Sequence, residues 1–161
     1  MMTRKTFYKI LLICFSLLLA ATLMFACAPL LESKYGSIAS DGEVTLRTQY
    51  AVYAKDVDVI QVLMRNDSGD EIGFGAAWSM EKLDGGTWMT LPFKPDTAWN
   101  ELLYLLSDGG TRTFTVHIAS LDYKLTDGTY RIVKEIDGVP VAAEFTVGGK
   151  VLPQTLSICL Q

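Results

Sequence analysis

Thr111-Arg112-Thr113-Phe114-Thr115-Val116-His117-Ile118 is the stretch on which the fold class turns. In an extended chain Phe114, Val116 and Ile118 share one face, and Thr113, Thr115 and His117 share the other. That period of two marks a strand with one buried and one wet face. The pattern recurs on both sides of it. Asn66-Asp67-Ser68-Gly69, Asp84-Gly85-Gly86, Asp108-Gly109-Gly110, Asp127-Gly128, Asp137-Gly138 and Gly148-Gly149 supply the positive-φ positions of tight turns. Between them lie short runs rich in Val, Ile, Thr, Phe, Tyr and Trp, which suit a pleated surface. Val44–Thr48 is a first strand. Val57–Arg65 turns Ile60, Val62 and Met64 inward, and its second apolar face (Val57, Val59, Leu63) predicts a central strand or one covered on both sides. Trp78–Leu83 and Thr87–Phe93 flank Asp84-Gly85-Gly86 as a hairpin, and Tyr130–Glu135 and Ala143–Val147 alternate in turn. About seven strands result, with no helix except that Ala98–Leu106 (AWNELLYLL) fits either a short helix or a crossing strand. A parallel sheet would need long crossovers, so the expected class is all-β, an antiparallel β-sandwich.

The chain has 161 residues, the size of one domain. All 18 acidic residues follow Cys27, while Arg4, Lys5 and Lys9 precede it, so from Cys27 onward 11 basic residues face 18 acidic ones, a formal −7. Such a surface excludes nucleic acid as a partner, because phosphate binding needs concentrated positive charge.

The basic start is followed by an uncharged apolar run, Ile10–Ala26, which has the layout of an export signal. Met24-Phe25-Ala26-Cys27 resembles the lipobox of bacterial lipoproteins. The resemblance implies removal of residues 1–26 as a lipoprotein signal peptide and diacylation of Cys27. The alternatives are a retained N-terminal anchor helix over the same run and ordinary secretion. Residues 27–42 then read as a tether, 43–149 as the folded domain and 150–161 as a C-terminal tail packed on the domain or a partner. Cys14, Cys27 and Cys159 offer no intramolecular disulfide framework and no metal-binding spacing.

Two longer blocks carry a family resemblance. Asn66–Gly75 (NDSGDEIGFG) followed by Trp78–Trp88 (WSMEKLDGGTW), then Leu125–Glu135 (LTDGTYRIVKE) and Ala143-Glu144-Phe145, closely resemble a bacterial immunoglobulin-like domain family. The similarity spans residues 44–148 and implies an immunoglobulin-like β-sandwich, of a kind found on exported and membrane-anchored bacterial proteins without an assigned catalytic activity. In such sandwiches a tyrosine at a strand corner bonds backbone a few residues upstream. Tyr130 is the expected corner, with Gly128 allowing the turn before it.

Catalytic chemistry finds little support. His117 is the sole histidine, on the wet face of its strand, and neither GxSxG, HExxH nor a phosphate loop occurs. Asp56, Asp58, Asp67, Asp70 and Glu71 are the densest acidic group, but they match no EF-hand spacing and read as a solvated face. Glu81 and Glu101 could serve glycoside hydrolysis only if folding brought them close together. Trp78, Trp88, Trp99, Tyr50, Tyr53 and Tyr104 suit either core packing or sugar stacking. The expectation is therefore no enzyme, no cofactor and no metal. It is a membrane-anchored extracytoplasmic protein-interaction or ligand-sensing module on the outer face of a bacterial cytoplasmic membrane. Its partner would be an envelope protein or cell-wall ligand; a carbohydrate-binding module and a proteinase inhibitor are the alternatives. The candidate surface is Trp99, Asn100, Glu101 and Tyr104, against the alternative that Leu102, Leu103, Leu105 and Leu106 close the core.

Overall fold

The computed structural model describes residues 29–39 and 42–149. The expected signal segment 1–26, Cys27 and the tail 150–161 lie outside the described residues. Among them the strands are β1 (Leu31–Glu32), β2 (Val44–Thr48), β3 (Val52–Tyr53), β4 (Val59–Asn66), β5 (Ile72–Phe74), β6 (Ser79–Asp84), β7 (Thr87–Thr90), β8 (Tyr104–Leu106), β9 (Thr111–His117), β10 (Gly128–Ile136) and β11 (Val139–Val147). One 3-10 turn, Ile118–Ser120, follows β9. The seven longer strands stand where periodicity predicts them. The other four, β1, β3, β5 and β8, have two or three residues each, too few to show a period.

The strands form two open sheets. The larger runs β1-β7-β6-β10-β11-β3, with the β5–β8 pair attached to β10, and the smaller runs β2-β4-β9. All pairings are antiparallel except β3 with β11. Ile60, Val62, Met64 and Val116 of the small sheet share the core with Met80, Tyr130, Ile132, Phe145 and Val147 of the large one. Each such side chain contributes about 1.5–3 kcal/mol by leaving water. β4 is central in its sheet, as expected, but its second face is not covered: Val59 and Leu63 are exposed.

Tyr130 is fully buried, and its hydroxyl donates to Thr126 O at 2.9 Å while accepting the Thr126 N–H at 3.1 Å. Gly128 has φ +149°, and a Cβ there would stand 3.1 Å from Lys82 Cε. Any side chain at this turn would press on the lysine that packs over it.

The expectation of a free tether over 27–42 does not hold for Leu31–Gly36. β1 pairs with β7 (Leu31↔Thr90, Glu32↔Met89), and the Ser33 N–H donates to Trp88 O at 2.8 Å. The chain then crosses the outer face of the large sheet as a strap. The reason is a charge pair directly opposed across the β10–β6 ladder, Arg131 and Glu81, 1% and 0% exposed. Arg131 Nε donates to Glu81 Oε2 at 2.6 Å and its Nη2 to Gly36 O at 2.7 Å, while Ser33 Oγ donates to Glu81 Oε1 at 2.6 Å. Polar atoms of the strap thus take the place of water around a buried ion pair. With the strap in place the outer face of β10 is buried at Arg131 and Val133, while Glu135 further along stays exposed.

Candidate functional site

Between β7 and β9 the chain leaves regular structure. Lys94 N donates to Ser120 O, Phe93 bridges Leu121, and Pro92 and Pro95 interrupt further ladder bonding. From Ala98 to Leu103 there is no secondary structure, and only Tyr104–Leu106 forms a strand, so Ala98–Leu106 is neither a helix nor a full crossing strand. Trp99 packs edge-on against Trp78 and Phe93, each at 5.4 Å between ring centroids, and stays about a third exposed. Tyr104 stacks on Phe74 at 5.8 Å, and Asn100 Nδ2 donates to the Tyr104 hydroxyl at 3.4 Å. Glu101 is exposed.

The leucines go the other way from the core-closing expectation. Leu102, Leu103 and Leu105 are 60%, 70% and 55% exposed, and Leu106 alone packs on the core. Alternation in β8 accounts for Leu105, since Tyr104 and Leu106 face inward. β8 pairs only with β5, where Gly73 stands opposite Leu105 and offers no side chain to cover it.

Two cavities flank Trp99. One, of about 450 Å³, lies between Lys94, Asp96, Trp99, Thr115 and His117. The other, of about 320 Å³, is lined by Trp99, Asn100, Tyr104, Arg112, Phe114 and Lys134 among others, and no carboxylate is among them. Arg112 places its guanidinium 4.3 Å from the Tyr104 ring centroid, a cation–π contact. Lys134 is 2% exposed; its Nζ donates to Gly75 O at 2.8 Å and Ala77 O at 3.0 Å and lies 4.8 Å from the Phe114 ring. Burial, assisted by the nearby Arg112 charge, lowers its pKa to about 8.

The remaining sequence candidates fall elsewhere. Trp78 is buried and Trp88 lies half-buried beneath Arg131 at 4.3 Å. Tyr53 is core, its hydroxyl accepting the Tyr50 N–H at 3.0 Å. Glu81 is committed to Arg131 under the strap, on the far side of the large sheet from the core, and cannot share a substrate with exposed Glu101. Asp67 pairs with Arg65 at 2.6 Å, which holds its carboxyl below the usual range, and Asp56, Asp58, Asp70 and Glu71 are exposed. No group of three His, Cys, Asp or Glu is arranged to hold a metal among the described residues, nor is any helix there long and apolar enough to cross a membrane. The sequence reading missed Arg112 and Lys134. The available signals were Lys134 sharing an alternation face with Tyr130 and Ile132, and Arg112 sharing one with Phe114 and Val116.

The bacterial Ig-like domain family matches residues 40–146. Among solved structures the chain is similar to Pseudomonas fluorescens alkylpurine DNA glycosylase AlkC bound to DNA containing an abasic site analog. There the identity is 15% and the TM-score 0.42, covering 81% of this chain and 34% of that one. It is also similar to a mutant β-glucosidase from Listeria innocua in complex with laminaribiose, at 17% identity and TM-score 0.35, covering 71% and 17%. The chain thus spans about a third or less of each of those chains. No curated protein matches it.

Proposed function

The chain belongs to the bacterial Ig-like domain family, and from that premise we propose that it is a non-catalytic interaction module. Its two sheets are an immunoglobulin-like antiparallel β-sandwich, and a lipid on Cys27 anchors it at the outer face of the cytoplasmic membrane. Its partner is a protein of the envelope, met through the Ala98–Leu106 segment.

The observation that carries this reading is the exposure of Leu102, Leu103 and Leu105 beside half-covered Trp99. Three large apolar side chains in one short segment, next to an aromatic anchor, are the composition of an interface centre and an unusual load for a free surface. The rim is polar, with Asn100 and Glu101 exposed. A carbohydrate platform is the weaker reading, because Trp78 is buried and Trp88 lies beneath Arg131, leaving Trp99 as the one exposed tryptophan.

The test is cross-linked recovery from a native bacterial envelope with the full-length chain and its Leu103→Asp/Leu105→Asp variant. Both positions are exposed, so the variant keeps its thermal midpoint. The wild type should retain a specific protein that the variant loses. Equal recovery by both, or none by either, removes the segment as a contact surface. Turnover in a broad hydrolase screen that one polar substitution abolishes would remove the non-catalytic reading.

A further inference from the structure

Among the described residues β9 is the last strand of the small sheet, with β4 on one side and no strand on the other. Its register fixes which backbone groups face the gap. Asn66 N donates to Gly110 O and Ile118 N to Asp58 O, so the even-numbered residues of β9 exchange hydrogen bonds with β4. The N–H and C=O groups of Thr111, Thr113 and Thr115 therefore point outward. Seven residues long and free of proline and lysine, the edge carries a single charge, Arg112, which lines the cavity beside Trp99. Both cavities beside Trp99 open along it, one reaching Thr113 and Thr115, the other Thr115 and His117.

Charge selects the occupant. In a chain with more acidic than basic residues, Arg112 and Lys134 form no ion pair among the described residues. The cavity they line holds no carboxylate and is walled by Trp78, Trp99, Tyr104 and Phe114. Lys134 is buried with its Nζ spent on backbone carbonyls, whereas Arg112 is exposed beside it with its guanidinium over the Tyr104 ring and no carboxylate partner. Arg112 is therefore the cation an incoming anion can reach. We infer that the free edge of β9 receives an extended acidic peptide strand, one carboxylate of which enters this cavity to pair with Arg112. Backbone hydrogen bonds to Thr111, Thr113 and Thr115 supply a sequence-independent grip, and the cavity reads alternate side chains. This rests on the interaction reading above and names its partner chemistry.

A library of linear ten-residue peptides, selected on the full chain, tests it. Selected peptides should alternate Asp or Glu with apolar residues and protect the Thr113 and Thr115 amides from hydrogen exchange. Thr113→Pro removes an edge N–H that no ladder bond uses, and Arg112→Gln removes the cation; each should weaken binding at least about tenfold, the value of one charge-assisted hydrogen bond. Should Thr113→Pro fail to fold, alternate N-methylation of the peptide backbone must produce the same loss. No enrichment, peptides without acidic residues, or undiminished binding to Thr113→Pro would each overturn the assignment. So would concentration-dependent dimerisation that Thr113→Pro abolishes, which would give the edge to a second copy of the chain. Failure of the interaction reading itself is seen separately, in the Leu103→Asp/Leu105→Asp recovery, because that variant leaves the β9 edge intact.

Discussion

Glu81→Leu should be the most damaging single surface-to-surface change in the large sheet, although sequence alone would place Glu81 on an outer face. The substitution strands the Arg131 guanidinium in a site where it is 1% exposed. It loses the Nε–Oε2 bond of 2.6 Å, and Ser33 Oγ loses its 2.6 Å bond to Oε1. Hydrogen bonds to charged groups contribute about 1.5–3 kcal/mol each. Together with the unpaired charge, the expected loss is about 3–5 kcal/mol. That is a large share of the roughly 5–15 kcal/mol of a typical domain. It corresponds to a fall in Tm of about 12–22 °C at this size. Urea unfolding followed by tryptophan fluorescence suits the measurement, because Trp88 stands 4.3 Å from Arg131. The double replacement Glu81→Leu/Arg131→Met removes both charges, so it should recover most of the loss and give a large coupling energy in a double-mutant cycle. Added salt should leave the wild-type pair intact, since a pair under the strap is shielded from screening. A cost for Glu81→Leu below about 1 kcal/mol, the range of an exposed pair, would refute the description of this site as dry.

Tyr130→Phe strips partners from the Thr126 N–H and C=O at the corner and should cost about 1–3 kcal/mol in the same unfolding assay; a change within error would leave Tyr130 as packing alone. Because Lys134 has its pKa lowered to about 8, the folded chain binds fewer protons there than the unfolded chain between that pH and 10.5. This lysine therefore makes stability rise from pH 8 to 10, and the rise should be absent in Lys134→Met. Intact-mass analysis of envelope-extracted protein should show residues 1–26 removed and a diacylglyceryl mass on Cys27, both abolished by Cys27→Ser; a full-length unmodified chain would point to a retained anchor.

The long strands were readable because side-chain polarity and position agree along them. β9 shows it best: Thr113, Thr115 and His117 are exposed, while Phe114 and Val116 are covered. Periodicity fails where the environment of a face is set by a distant segment. Nothing around Arg131 in sequence announces that residues ninety-five and more positions earlier will roof it. Val59 and Leu63 mislead in the opposite sense, being apolar yet exposed on the outer face of their strand. The Ala98–Leu106 segment was marked by its aromatics. Which of its leucines stay in water depended on Gly73 opposite Leu105, a pairing between strands of three residues. The cation pair beside Trp99 was illegible for a related reason, since Arg112 and Lys134 come from different sheets and meet only across the gap.

The strap also determines how the molecule would respond to tension. Load applied ahead of Leu31 enters first at the packing of Leu30 on the core, a ladder two residue pairs long and the Ser33–Trp88 hydrogen bond, before it reaches β2 or any later strand. Peeling the strap from Leu31 to Gly36 frees six residues, up to about 20 Å of extension, while β2 to β11 stay folded. Water then reaches Glu81 and Arg131, and their hydration lowers the force needed to keep the strap off. The buried pair would then be the catch that re-engages when the pull relaxes.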